Sequence, residues 1–151
     1  MLVTFLKIKK MSNQQLAYFL ARITLGINLL LHGVVRIPKL TAFSQAIAAG
    51  FQESVIAPEI ARLFAYTIPF IELILGILII LGLKTRKSLV AAAIFIIVLI
   101  SGTCLKGDWA TVSTQMLYAL FIFFLIFYLD YNRWAIDTKN KSKVDGFKTK
   151  K

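Results

Sequence analysis

One carboxylate inside a membrane-length apolar run constrains this chain more than any other feature. Residues 63–83, LFAYTIPFIELILGILIILGL, are long enough to cross a bilayer, and Glu72 stands in their middle. An acidic group near the bilayer centre costs about 2.5–3.5 kcal/mol on insertion scales, so Glu72 has to face protein, water or a ligand and not lipid. Other helices must therefore answer it. At about 100° per residue, Ala65, Pro69, Gly76, Ile79 and Leu83 fall on the same side as Glu72, a face of small residues and a proline that suits close helix packing.

Three more apolar runs supply those helices. Hydrophobic residues make up 58% of the 151, above the ~45–50% of ordinary soluble domains. The expected fold is all-α, an antiparallel integral membrane four-helix bundle with spans near 16–35, 63–83, 88–105 and 113–131. Residues 1–15 read as a short leader, 16–131 as one membrane domain and 132–151 as a basic tail, disordered or resting on anionic lipid. The first run is too long for a signal-peptide core and ends in HGVVRIP, with no small-x-small cleavage pattern, so it reads as a retained helix.

The connection 36–62 is too long to be bare loop. Pro38 and Pro58 bracket a piece with helical spacing whose apolar edge is Leu40, Phe43, Ile47 and Phe51, and it reads as an interfacial helix between helices 1 and 2 that caps the bundle. A partner-docking helix is the alternative. The turn Lys84, Thr85, Arg86, Lys87 is so short that the third span must return antiparallel beside the second.

Charge sets an expected orientation. The leader, the second connection and the tail hold thirteen of the eighteen Lys and Arg residues, against four in the first and third connections. Both termini should then be cytoplasmic in a multi-pass plasma membrane protein, with the basic turn Lys84, Arg86 and Lys87 at the membrane surface. The net charge of +11 does not indicate nucleic acid, since no basic groove interleaved with aromatics is present. The ligand inventory is equally restrictive. With one cysteine, Cys104, and one histidine, His32, the chain has no intrachain disulfide, no CxxC pair, no bis-histidine haem site and no ordinary zinc set of its own.

Short motifs carry a resemblance. In the first span LARITLGINLLLHGVVR supplies Arg22, Gly26, His32, Gly33 and Arg36, and in the second IELILGILIILGLKTR supplies Glu72, Gly76, Gly82, Leu83 and Arg86. These resemble the DoxX family of small four-helix membrane proteins, in which the first motif is an arginine, a glycine and His-Gly-x-x-Lys, with Arg36 here in place of the lysine. The resemblance covers most of residues 16–130. It implies a small membrane subunit of a quinone-linked redox complex, like the subunits associated with thiosulfate:quinone oxidoreductase and quinol oxidase complexes. Such a subunit would not be catalytic alone, would bind no cofactor or metal by itself, and would take quinone if it takes any such ligand. Its partners would be lipid and other redox subunits or a second copy. An assembly or chaperone factor is the alternative, and a small transporter the third reading.

Three polar groups are the candidate site. Arg22, Gly26, Leu29 and Gly33 form one stripe of the first helix, and Gly26, Gly33 and Gly76 are the expected packing positions. Arg22, His32 and Glu72 read either as a polar network fixing helix register or as a quinone and proton site, and His32 has the better direction toward Glu72, because helical side chains lean toward their own N-terminus. The aromatics Tyr118, Phe121, Phe123, Phe124, Phe127, Tyr128 and Tyr131 either line a planar ligand or face lipid.

Overall fold

Four apolar stretches fold as helices long and apolar enough to cross a membrane, with a shorter helix between the first two. The computed structural model describes residues 11–138. In it α1 is Asn13–Arg36, α2 Leu40–Ala49, α3 Pro58–Leu81, α4 Thr85–Leu105 and α5 Trp109–Phe127. The protein is an all-α, multi-pass membrane helix bundle. At 1.5 Å per residue the long helices span about 28–36 Å, which matches a hydrocarbon core of roughly 30 Å. Leader residues 1–10 and tail residues 139–151 lie outside the described residues.

Local chemistry sets the helix ends. The Ser12 hydroxyl accepts from the Gln15 N–H and the Gln15 side chain accepts from the Ser12 N–H, both at 3.2 Å, a reciprocal cap that starts α1. Pro58 is the first residue of α3, where its missing N–H is no loss, so α3 begins five residues earlier than the hydropathy implied. It stops at Gly82, whose φ of 64° needs glycine. There the Gly82 N–H bonds the Ile79 carbonyl and the Leu83 N–H the Leu78 carbonyl.

The α1–α3 contact is the most extensive in the bundle, and glycine makes it possible. A Cβ on Gly76 would lie 2.5 Å from the Leu30 nitrogen, and one on Gly33 2.5 Å from the Pro69 carbonyl oxygen. One on Gly26 would meet Ile80 at 2.6 Å. Backbone therefore rests on backbone along a seam set by Gly26, Gly33 and Gly76. Helix α2 packs on α3, α5 packs on α4, and Leu25, Leu29, Ile68, Ile79, Leu89, Ile96 and Ile122 fill the core.

The segment after α5 departs from the expected tail. Residues 132–138 fold back over the α3–α4 turn, with Asn132 and Ala135 buried and the Asn132 amide donating to the Thr85 hydroxyl at 3.0 Å. The Asp137 carboxylate accepts from the N–H groups of Lys84 and Thr85 at 2.7 and 2.6 Å, and from the Thr85 hydroxyl at 3.0 Å. The cause is specific. The first N–H groups of α4 lack intrahelical partners and Lys84 cannot cap them, so an acidic side chain from further along the chain does so. Lysine-rich composition concealed this.

Two outcomes follow from these contacts. Gly33→Leu should destabilise the folded protein by about 1–3 kcal/mol in a detergent denaturation series, whereas Gly102→Ala, whose added Cβ meets nothing nearer than 3.8 Å, should change it by less than ~0.5 kcal/mol. At the start of α5, the Thr111 hydroxyl and N–H and the Lys106 ammonium hold the Asp108 carboxyl down at about 2, from an ordinary 3.8. A depressed carboxylate stabilises the fold fully above its ordinary value and loses that effect as pH falls through about 2. Amide-exchange protection at Thr111 should accordingly fall between pH 4 and pH 2, and Asp108→Asn should remove that dependence.

Candidate functional site

Residues four apart on a helix share a face, and several such sets converge on one cavity of about 280 Å³. Asn28, His32 and Arg36 come from α1, Phe43 and Ile47 from α2, Phe64, Ile68 and Glu72 from α3, and Leu99 and Thr103 from α4. Thr111, Gln115 and Tyr118 come from α5. Helix α2 turns its apolar edge, with Phe51 beyond its end, onto this space, so the connection that interrupts the bundle becomes one wall of the cavity.

Glu72 is 4% exposed, and its Oε1 accepts from Arg36 Nη1 at 2.5 Å. The Arg36 guanidinium also lies 4.9 Å from the centre of the Phe43 ring, which ties α2 to the same pair. The guanidinium stays charged, and the carboxylate form of Glu72 is its partner. The second Glu72 oxygen, Oε2, is buried without a hydrogen-bond partner, and Glu72 itself lines the cavity.

Two amide oxygens share that condition, Asn28 Oδ1 and Gln115 Oε1. The orientation of Gln115 is decided by its neighbours. The Thr103 hydroxyl donates its one proton to the Leu99 carbonyl at 2.8 Å, so toward Gln115 it can only accept, and it does so from Nε2 at 3.0 Å. The Gln115 carbonyl oxygen is thereby left as an acceptor without a donor. The cavity thus joins an apolar, aromatic lining to a partly buried ion pair and buried acceptor oxygens that lack a donor.

The expected site residues divide. His32 and Glu72 reach this one cavity, but Arg22 goes to the opposite end of α3. There its Nη1 donates to the Ile79 carbonyl and, at 2.8 Å, to the Ile80 carbonyl, and its Nη2 donates to the Trp134 carbonyl at 2.6 Å. Arg22 therefore caps the last turn of α3 and pins the folded-back segment. The first helix answers Glu72 through Arg36, and the reason is direction. Glu72 leans toward the start of α3 and Arg36 back into α1, so in an antiparallel pair they converge while Arg22 diverges.

Other expectations separate in the same way. Of the aromatic set only Tyr118 lines the cavity, whereas Phe123 and Phe127 are exposed and Phe121, Phe124, Tyr128 and Tyr131 border a separate groove against α1. Lys84, Arg86 and Lys87 are exposed on the α3–α4 turn, and Cys104 is a free, half-buried thiol. Among the described residues no three His, Cys, Asp or Glu side chains assemble as a metal set. Asn28 and Gln115 escaped the sequence reading, although an amide at helical spacing from His32 or Tyr118 inside an apolar span was the available signal.

Residues 17–106 match the model of the DoxX family, a segment that runs from the second turn of α1 to the end of α4. The chain belongs to the DoxX family. Comparison with curated proteins and with solved structures yields no match. Within the DoxX segment lie Asn28, His32, Arg36 and Glu72, while Gln115 and Tyr118 stand beyond it on α5.

The pairing makes a sharp mutational contrast. Arg36→Leu strands a buried carboxylate and should cost about 3 kcal/mol, the lower part of the usual range because Arg36 is 29% exposed. Adding Glu72→Leu should recover most of that loss. A double-mutant cycle of Arg22→Leu with Glu72→Leu should show coupling below ~0.5 kcal/mol.

Proposed function

We propose that this DoxX protein is an accessory membrane subunit of a quinone-linked redox complex, and that the cavity beneath α2 holds the quinone headgroup. The observation that carries this reading is a buried carboxylate in the lining of an aromatic cavity, paired on one oxygen by Arg36 and unpartnered on the other. A quinone headgroup is planar, weakly polar and soluble in the bilayer, and such a ligand needs largely apolar walls with few well-placed polar groups. Phe43, Phe64, Ile68 and Leu99 supply the walls. Asn28, His32, Gln115 and Tyr118 supply polar groups around the ring, and Glu72 and His32 are placed to hold or exchange a proton.

Bound quinone would supply the two-electron chemistry. With a single histidine and a single cysteine in the chain, the electron donor is placed on another subunit. The basic-residue distribution supports cytoplasmic termini and a plasma membrane location. The bundle end that carries Arg36 and α2 would then face away from the cytoplasm.

Purification in mild detergent, followed by identification of bound partners and lipids, tests this proposal. A redox subunit should bring down a flavin, haem or sulfur-handling partner together with quinone, and Glu72→Leu should lower the quinone content at least severalfold. Recovery of immature client proteins without quinone would replace the redox reading with an assembly role.

A further inference from the structure

Buried acceptors without a donor have a consequence for the redox form of the ligand, and it rests on the headgroup reading above. We propose that the cavity selects the reduced, dihydroxy ring over the oxidised dione. An oxidised ring presents two carbonyl oxygens, which only accept hydrogen bonds. A reduced ring presents two hydroxyls, which donate. The protein side is fixed by its own contacts. Gln115 Oε1 is an acceptor because one N–H of its amide goes to a Thr103 hydroxyl that has already given its proton to Leu99, which fixes which end of the amide is the oxygen. Glu72 Oε2 is an acceptor in the carboxylate form, the form that pairs with the Arg36 guanidinium through Oε1.

These two oxygens stand on different helices, α5 and α3, and both are buried without a donor in residues that line the same cavity. Against a dione, buried acceptors would meet ring oxygens that bring them no donor, and the cost of leaving them unpaired would stay in the complex. Against a diol, each ring hydroxyl can give a proton to one of them, and a bond to the carboxylate is of the stronger, charge-assisted kind. Arg36 does not reverse the preference, since the guanidinium N–H groups left over from its bond to Glu72 can donate to a ring carbonyl or to a ring hydroxyl alike. His32 and Tyr118 can donate to either form of the ring and so discriminate little.

The test compares the two forms of one compound. Dissociation constants of a decyl-tailed benzoquinone and of its hydroquinone, kept reduced under anaerobic conditions, are measured on the full chain in lipid nanodiscs with protein-free discs subtracted. The hydroquinone should bind about tenfold or more tightly, the scale of one charge-assisted hydrogen bond. Gln115→Leu should weaken hydroquinone binding and leave quinone binding unchanged, with the thermal unfolding of the variant confirming that it folds. Equal binding of the two forms, or tighter binding of the quinone, overturns the selection and leaves the headgroup reading standing. Absence of binding by either form overturns the headgroup reading and the selection with it.

Discussion

A carboxylate in the middle of a membrane helix cannot be left to lipid, and the bundle is arranged around the arginine that reaches it. Arg36 stands at the end of α1 and Glu72 well inside α3, so their contact requires the two helices to run close together. The glycine seam provides that approach. Gly26, Gly33 and Gly76 let backbone touch backbone, and any larger side chain there would widen the interface and lengthen the ion pair. In a bilayer lipid answers neither charge, so helix register and charge satisfaction are one problem.

The two arginines of α1 perform different electrostatic tasks at opposite ends of α3. Arg22 donates to carbonyls of the last turn, where the helix leaves its acceptors unpaired and its dipole favours positive charge. Arg36 neutralises a side chain and rests on an aromatic ring of α2. The first arrangement is structural, with every oxygen it addresses belonging to backbone. The second leaves one carboxylate oxygen without a partner, on a residue that lines the same cavity as a half-buried imidazole, a phenol and two amides, which is why the functional reading belongs to that end.

The architecture was largely legible in the sequence. Span-length apolar runs, prolines around the 36–62 connection and glycines at helical spacing foreshadow the four long helices, α2 and the α1–α3 seam, because those features depend on local periodicity. The partner of Glu72 was less legible. Arg36 was visible only as the last position of a motif, since treating it as connection left its side chain unweighed, although the lean that favoured His32 favours Arg36 more, one turn further along with a longer reach. Gln115 and the folded-back residues 132–138 were harder still. Their roles arise from contacts to Thr103 and Thr85 across the fold, which no periodicity within one segment encodes.

The central claim is that Arg36, and not Arg22 or His32, holds Glu72 in the folded membrane protein. Solid-state NMR recoupling between glutamate side-chain carboxyl carbons and arginine guanidinium nitrogens, recorded in lipid, measures this directly. The account predicts a short contact at the Glu72 carboxyl that disappears in Arg36→Lys and persists in Arg22→Lys. A contact that survives loss of the Arg36 guanidinium and vanishes with that of Arg22, or no arginine contact at Glu72 at all, would contradict it.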